Sequence, residues 1–286
     1  MSNAWKQSAC LVWILACAPV ANALGDTQFA RVDADDEDRP RALQLGISSY
    51  VSPDDQDGIR VDLVGAIHIG DKSYYAELNE RFKQYDALLY ELVAPVGANV
   101  SEQVERRKGL LSGAQIAMTK ILDLSFQLDE IDYSQPNFVH ADLTPSEFSQ
   151  SMADRNESLY VYFWRIVFAS IDEYAKDPLG LRDWQMLSAM VNSGEDNSLK
   201  IMMAYEMANM ESVQDILGED SSSAIVGARN QRAIEVLRGQ LDAGARRIGI
   251  FYGVAHMADL EDRLVNELGL TFESTSWVDA WQLSTD

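Results

Sequence analysis

The sequence predicts an α/β fold whose central sheet is built from βαβ units, with a helix-rich insertion in the middle of the chain. Short apolar runs typical of buried strands occur near both ends of the chain, at 61–67, 87–90 and 246–251, and segments with apolar residues at helical spacing separate or follow them. Between them, at about 99–217, helical spacing predominates. An alternation of strand and helix on both sides of a helical segment is typical of one α/β domain with an insertion.

The first residues have the composition of an export signal. Lys6 precedes an apolar stretch at 9–20, and Ala21-Asn22-Ala23 fits the small-x-small pattern of a cleavage site. The stretch is shorter than the roughly 20 apolar residues of a membrane-spanning helix. We therefore expect a signal peptide over residues 1–23, a periplasmic or secreted protein, and no stable membrane insertion after cleavage. A lipoprotein anchor at Cys17 is the alternative, although the residues before this cysteine fit that pattern poorly.

The charge balance restricts the classes of partner. The chain has 45 acidic and 23 basic residues, and its formal net charge at pH 7 is −22. Such a surface repels nucleic acids and anionic membranes, so neither is expected as a partner. Cys10 and Cys17 both lie in the expected signal peptide. A mature chain of about 260 residues would then have no disulfide and no cysteine-rich zinc site, and it is long enough for one large domain.

The first third of the mature chain contains one βαβ unit. Residues 24–45 are rich in Asp and Arg and are expected to form an exposed lead-in to a single domain over 46–286. A strand at 61–67 is followed by Asp71, a candidate helix cap. The strand at 87–90 ends in Glu91. Between the two strands, apolar side chains recur at helical spacing, at Tyr74, Leu78, Phe82 and Tyr85.

Further elements are predicted towards the carboxyl terminus. A strand at 137–140 leads into Thr144 and Glu147, which are spaced as a capping box at the start of a helix. The final third contains a helix at 223–241, a strand at 246–251 and a last strand at 272–283. A helix lies between those two strands, with apolar residues at Met257, Leu260, Leu264 and Leu268.

Two of the chain's three histidines occur in the same short pattern, Gly65-Ala66-Ile67-His68 and Gly253-Val254-Ala255-His256. Each pattern follows an apolar strand and precedes a helix. Glu91 and the third histidine, His140, also lie at strand ends, where open α/β sheets bind ligands. Two imidazoles and a carboxylate suit a divalent transition metal and leave positions for an activated water. We therefore predict that His68, Glu91 and His256 bind a metal.

Each of these residues also has a structural interpretation. The two histidines can be unrelated core or surface residues, and Glu91 can begin a solvated loop. His140 is either a ligand or proton carrier, or a structural histidine bonded to Asp142. The repetition of the pattern around His68 and His256 favours the functional interpretation, because chance seldom places so scarce a residue twice in one context.

Arg229 and Asn230 lie on the apolar side of the helix at 223–241. In a helical projection one half of the surface carries Ile225, Val226, Ala233, Ile234, Val236, Leu237 and Leu241. Buried polar groups need partners or must line a cavity. Arg229 is therefore either a structural residue satisfied by a carboxylate, or a group that binds a substrate carboxylate or an oxyanion while Asn230 orients it.

Taken together, these residues resemble the TraB/GumN/TIKI family. The shared features are the paired GxxH patterns, a Glu after an apolar strand and an Arg-Asn pair on a late helix. The similarity extends over about 44–283, and the segment 126–142 also looks like bacterial members. One difference is Ala228, since the family often has Glu before its Arg-Asn pair.

The resemblance implies a fold akin to erythromycin-esterase and ChaN-like proteins and a metal-dependent hydrolase activity. Animal TIKI members are described as Mn²⁺- or Co²⁺-dependent proteases that act on the amino-terminal region of Wnt proteins. Bacterial members mostly lack a known substrate, so Wnt is not carried over to this chain. Matching motifs implicate His68, Glu91 and His256, with Arg229 and Asn230 as supporting groups.

The sequence therefore predicts an exported metal-dependent hydrolase acting on a peptide or protein. Bound Mn²⁺, Co²⁺ or Zn²⁺ would activate a water, His140 or Glu91 would act as the general base, and Arg229 would stabilise an oxyanion. Two alternatives stay open. One is a non-catalytic protein that binds a metal or haem through the same histidines, and the other is a metal-free, esterase-like hydrolase with a histidine base.

Overall fold

The computed structural model describes residues 27–53, 58–95, 122, 124–154, 197–209 and 226–284. The strands are β1 (Ala30–Ala34), β2 (Pro40–Val51), β3 (Arg60–Ala66), β4 (Ile69–Gly70), β5 (Ala87–Tyr90), β6 (Ser125–Phe126), β7 (Phe138–His140), β8 (Arg247–Gly253) and β9 (Thr271–Gln282). The helices are α1 (Lys72–Phe82), α2 (Gln127–Glu130), α3 (Pro145–Asp154), α4 (Ser198–Ala208), α5 (Gly227–Asp242) and α6 (Met257–Asn266), with a 3-10 turn at Val254–His256. The expected α/β class is confirmed. The expected signal peptide over 1–23 and most of the expected helix-rich insertion at about 99–217 lie outside the described residues.

The main sheet joins strands from both ends of the chain. Its order is β1-β2-β3-β8-β5-β7, and β9 pairs with β2. Strands β3, β8, β5 and β7 run parallel to one another, whereas the pairs that β2 forms are antiparallel. Strand β8, from the last third of the chain, lies between β3 and β5 of the first βαβ unit. The carboxyl ends of four parallel strands therefore meet at one edge of the sheet.

Burial of the central strands explains their apolar composition. Strands β5 and β8 both lie between two parallel neighbours, and nearly all of their residues are buried. Helix α1 contributes Leu78 and Phe82 to the core, and the Phe82 ring packs 4.9 Å from the ring of Phe251 on β8. Helix α5 buries Ile234 and Leu237. In the part of the chain that the structure describes, no helix is long and apolar enough to cross a membrane.

The expectation that residues 24–45 form an exposed lead-in is wrong for its described part. Strand β1 and the first half of β2 pair within this segment, and Leu43 is fully buried. The charged residues suggested a loop, but they pair with one another across the two strands. Arg41, for example, forms an ion pair with Asp33. Alternating charges on a half-exposed strand pair therefore account for the polar composition.

Two capping predictions have different outcomes. Asp71 occupies the N-cap position of α1, but its side chain makes no capping bond. It accepts hydrogen bonds from the amide of Gln282 at 2.5 Å and from Lys200 Nζ at 3.3 Å, so it connects α1 to β9 and α4. The capping box at the start of α3 is confirmed. Thr144 Oγ1 accepts from the Glu147 amide at 3.2 Å, and Glu147 Oε2 accepts from the Thr144 amide at 2.8 Å.

Candidate functional site at the carboxyl ends of the parallel strands

The four strand-end residues predicted from the sequence lie at the same edge of the sheet. His68 follows β3 by two residues, Glu91 follows β5 directly, His140 is the last residue of β7, and His256 ends the 3-10 turn after β8. Because β8 separates β3 from β5, His256 comes from the strand between those that carry His68 and Glu91. The structure thus places these four residues at one edge of the sheet, as their positions after parallel strands predict.

Glu91 has a different donor on each carboxylate oxygen. Its Oε1 accepts a hydrogen bond from Arg229 Nη2 at 2.7 Å, and its Oε2 accepts one from the Gly253 amide at 2.7 Å. A Cβ on Gly253 would lie only 3.3 Å from Oε2. The glycine of the second GxxH pattern therefore lets the β8 backbone approach the carboxylate. Glu91 does not begin a solvated loop, because its carboxylate is fixed by two hydrogen bonds and only 17% of its side chain is exposed.

His256 is oriented by Asn230. The imidazole Nδ1 lies 2.6 Å from Asn230 Oδ1, while the amide Nδ2 donates to the His256 carbonyl at 3.1 Å and to Asp259 Oδ2 at 2.7 Å. Both of those partners only accept, so the amide orientation is determined and Oδ1 faces Nδ1 as an acceptor. The proton of a neutral imidazole therefore lies on Nδ1. The lone pair lies on Nε2, which is 3.8 Å from Glu91 Oε1.

Asp259 extends this network and was not singled out from the sequence. It is in the first turn of α6, three residues after His256, and Arg263 Nε donates to its Oδ2 at 2.7 Å. The side chains of Asp259 and Arg263 are 13% and 12% exposed. An acidic residue in a helix's first turn is a common stabilising feature. That feature gave no reason to assign Asp259 to the site, because its bond to Asn230 depends on the packing of α5 against α6.

Arg229 connects two carboxylates. Its Nε donates to Asp142 Oδ1 at 2.9 Å and its Nη2 donates to Asp142 Oδ2 at 2.6 Å, which is a bidentate pair. The same Nη2 reaches Glu91, as described above. The Asp142 side chain is fully buried and that of Arg229 is 12% exposed. Arg229 and Asn230 both face inward, as the helical projection of α5 predicts. The pairing of Arg229 with carboxylates agrees with its structural interpretation.

His140 has a backbone partner. Its Nε2 lies 2.6 Å from the carbonyl oxygen of Leu92, and its ring packs edge-on against Tyr90. Since a carbonyl only accepts, Nε2 carries a proton and donates it. Of the two interpretations of His140, this bond fits the structural one, with Leu92 as the partner of Nε2 in place of Asp142, which pairs with Arg229. The structure thus ties His140 to the segment that follows β5.

His68 lies at the rim of the site. The residue is exposed, and its carbonyl accepts from the Gln127 amide at 2.9 Å, which holds the start of α2. Its ring is close enough to Glu91 to contribute to lowering that group's pKa. Among the residues that the structure describes, no group of three or more His, Cys, Asp or Glu side chains is arranged to hold a metal ion. The structure brings His256 and Glu91 together and leaves His68 beside them.

The electrostatics favour an ionised Glu91 beside a neutral His256. Burial raises the pKa of Glu91, but the charges of a protonated His256 and of Arg229, together with the Gly253 amide, lower it to about 2. Burial lowers the pKa of His256 more than Glu91 raises it, so the imidazole is neutral at pH 7 and Arg229 supplies the positive charge at Glu91. The pKa of Arg229 is raised, because Asp142 and Glu91 outweigh its burial. The cluster of Glu91, Asp142, Arg229 and His256 therefore carries one net negative charge.

No protein-family model matches the chain, and comparisons with curated proteins and with solved structures found no significant match either. The chemistry of the site is therefore argued from its geometry. An oriented imidazole lone pair lies opposite an ionised carboxylate oxygen, at the edge of the sheet where α/β proteins bind ligands. Such a pair can coordinate a divalent cation, or the imidazole can accept a proton from a water or hydroxyl group.

Proposed function

We propose that the chain is an exported metal-dependent hydrolase of peptides and a member of the TraB/GumN/TIKI family. In this proposal His256 and Glu91 bind one Mn²⁺, Co²⁺ or Zn²⁺ ion and His68 completes the protein ligands. The observation that carries the proposal is the separation of 3.8 Å between His256 Nε2 and Glu91 Oε1. Two donor atoms, each about 2.1 Å from one metal at a tetrahedral angle, lie about 3.4 Å apart, so a small side-chain adjustment suffices.

The surroundings of this pair also fit a cation. The cluster of Glu91, Asp142, Arg229 and His256 carries one net negative charge. This charge would offset part of the positive charge of a divalent ion, which reduces the cost of burying that ion. A metal-binding histidine usually donates its other ring nitrogen to an oriented acceptor, and His256 Nδ1 has such an acceptor in Asn230 Oδ1. His68, which is exposed, lies on the solvent side, where an ion and a substrate would enter.

When bound, the metal ion would lower the pKa of a coordinated water towards 7 and make it a nucleophile. The chain's own residues would do the rest. Asn230 holds the proton on Nδ1 and keeps Nε2 available, and Arg229 holds Glu91 ionised. In this proposal the guanidinium of Arg229, which is paired with Asp142 and Glu91, would also stabilise negative charge that develops on a substrate carbonyl oxygen. The peptide substrate class comes from the family resemblance.

A metal-free hydrolase is the second candidate, and the state of His256 favours it specifically. A neutral imidazole whose Nδ1 proton is fixed by an acceptor is in the form that general-base catalysis requires. Burial lowers the pKa of His256, so this base would stay unprotonated at neutral pH. Sensitivity of the activity to chelators distinguishes the two candidates, because this reaction would need no metal.

Metal analysis of the purified mature protein tests the proposal. We expect about one equivalent of a transition metal per chain in the wild type and in a His140→Gln control. His256→Ala should lose it while circular dichroism shows a folded protein. No bound metal after incubation with Mn²⁺, Co²⁺ and Zn²⁺ would contradict the proposal. A Soret band on adding haem, abolished by His68→Ala or His256→Ala, would instead support the non-catalytic alternative.

A further inference from the structure

Gln127, the first residue of α2, carries a buried acceptor without a donor. Among the side chains that the structure describes, its Oε1 is the buried nitrogen or oxygen atom that makes no hydrogen bond. The residue is 8% exposed, and its Nε2 donates to the Tyr133 hydroxyl at 2.9 Å. A buried polar atom without a partner destabilises the folded state, so a role in binding is one of the few explanations for it.

Gln127 also lies opposite His68. Strands β4 and β6 pair antiparallel, with Ile69 opposite Phe126. Phe126 is extended, and the next pair in this register is His68 and Gln127, where the Gln127 amide donates to the His68 carbonyl at 2.9 Å. Side chains directly opposite each other in an antiparallel pair share a face, with Cβ atoms about 4.5–5.5 Å apart. Rotation of the two side chains therefore suffices to bring the amide and the imidazole into contact.

The backbone around His68 is held in place, whereas its ring is exposed. Side chains of α1 and β9 bind the carbonyls on either side of it. The Tyr75 hydroxyl donates to the Ile67 carbonyl at 3.0 Å, and Trp281 Nε1 donates to the Ile69 carbonyl at 2.8 Å. The fold therefore fixes the position of the His68 backbone, and the direction of its ring depends on a further contact.

His256 shows what such a contact looks like. Its Nδ1 lies 2.6 Å from Asn230 Oδ1, so an amide oxygen orients this ring. A histidine that binds a metal through one ring nitrogen has only an N–H on the other, and this N–H usually meets an oriented acceptor. Gln127 Oε1 is an amide oxygen of the same kind, it lies beside His68, and it has no donor.

We propose that Gln127 is a positioning residue for the imidazole of His68. When His68 turns towards Glu91 and binds the metal ion through one ring nitrogen, its other ring nitrogen donates to Gln127 Oε1. The movement would orient the exposed ring and would give the buried acceptor its donor. The role matches that of Asn230 at the second histidine. The inference rests on the proposed function, because it requires His68 to be a metal ligand.

Zinc titration in competition with a chromogenic chelator tests this role. Gln127→Leu removes the acceptor and keeps a side chain of similar size, and we expect the affinity for Zn²⁺ to fall by about 10- to 100-fold. Its melting temperature without metal should stay close to that of the wild type, because the unpaired acceptor is removed together with the bond to Tyr133. A general structural role would instead lower the melting temperature.

Gln44→Leu is the matched control. Gln44 is a buried glutamine on β2, 6% exposed, and its Nε2 donates to Asp279. This variant should keep wild-type affinity for Zn²⁺. Equal losses in Gln127→Leu and Gln44→Leu would overturn the inference, since they would show an effect common to buried amides.

The outcomes separate this inference from the proposed function. Wild-type affinity in Gln127→Leu, with a weakened affinity in His68→Ala, would overturn the positioning role and leave the metal site standing. Absence of zinc binding by the wild-type protein would overturn the proposed function and this inference with it.

Nuclear magnetic resonance of the wild-type protein tests the same contact without any requirement that Gln127→Leu folds. The ring N–H groups of His140 and His256 have acceptors, so their signals should be visible before zinc is added. The ring of His68 should give a slowly exchanging N–H signal only after zinc is added, and this signal should be missing in His68→Ala. A zinc-loaded protein without this additional signal would overturn the inference.

Discussion

Asn230 Oδ1 and His256 Nδ1 lie 2.6 Å apart, and this contact decides which imidazole nitrogen is free. Asn230 cannot turn its amide around, because its Nδ2 already donates to the His256 carbonyl and to Asp259. The tautomer of a buried histidine is thus determined by a residue on another helix. A metal or a proton can reach only Nε2, on the side of Glu91.

Replacing Asn230 should weaken metal binding without unfolding the protein. Asn230→Ala removes the acceptor for Nδ1–H, so His256 loses its orientation. We expect a loss of about 10- to 100-fold in metal affinity, as for other residues that orient metal ligands. Competition with a chromogenic chelator measures this. Glu235→Ala, at an exposed position of the same helix, is the control, and equal affinities in the two variants would refute the positioning role.

Replacing Arg229 should be strongly destabilising. Arg229→Met leaves the fully buried carboxylate of Asp142 without its bidentate partner, and the expected cost in the free energy of unfolding is about 3–5 kcal/mol. Arg232→Met removes an exposed pair with Glu147 and should cost about 1 kcal/mol or less. Urea unfolding measures both. Arg229→Met combined with Asp142→Asn should recover part of the loss, and strict additivity would contradict a direct pairing.

Two glycine substitutions should have different effects, one on metal affinity and the other on the stability of the fold. In Gly253→Ala the new Cβ would lie 3.3 Å from Glu91 Oε2, so the carboxylate must shift and metal affinity should fall. Gly239, within α5, has open space around it, and Gly239→Ala should stabilise the protein by about 0.5–1 kcal/mol. Metal titration and thermal unfolding of both variants check these outcomes. Unchanged metal affinity in Gly253→Ala would argue that Glu91 is not a ligand.

Acid should destabilise the metal-free protein partly through Glu91. Its pKa in the folded state is about 2, below the ordinary value of 4.5, so the folded state favours the ionised form. The resulting stabilisation is fully present above about pH 4.5 and is lost as the pH falls towards 2. Urea unfolding across this range, in the presence of a chelator, should show a smaller pH dependence for Glu91→Gln than for the wild type. An identical dependence in both would contradict the lowered pKa.

Local patterns in the sequence were sufficient for several elements. The apolar runs before His68, Glu91 and His256 predicted strands that the structure contains, because a strand buried on both faces needs such a composition whatever its neighbours are. The capping box of Thr144 and Glu147 was also predictable, since both partners belong to the same turn. Helical periodicity placed Arg229 and Asn230 on the buried side of α5 for the same reason.

Contacts between distant segments required the tertiary structure. The insertion of β8 between β3 and β5 joins residues about 160 positions apart and brings His256 to Glu91. The partners of Asp142 and His140 were likewise decided in three dimensions, since Asp142 pairs with Arg229 of α5 and His140 bonds to the carbonyl of Leu92. Residues 30–45 became paired strands because partners in the sheet neutralise their charges. The sequence by itself determined which residues end each strand, whereas packing decided which of them meet, because hydrogen bonds and ion pairs depend on distances that local composition does not specify.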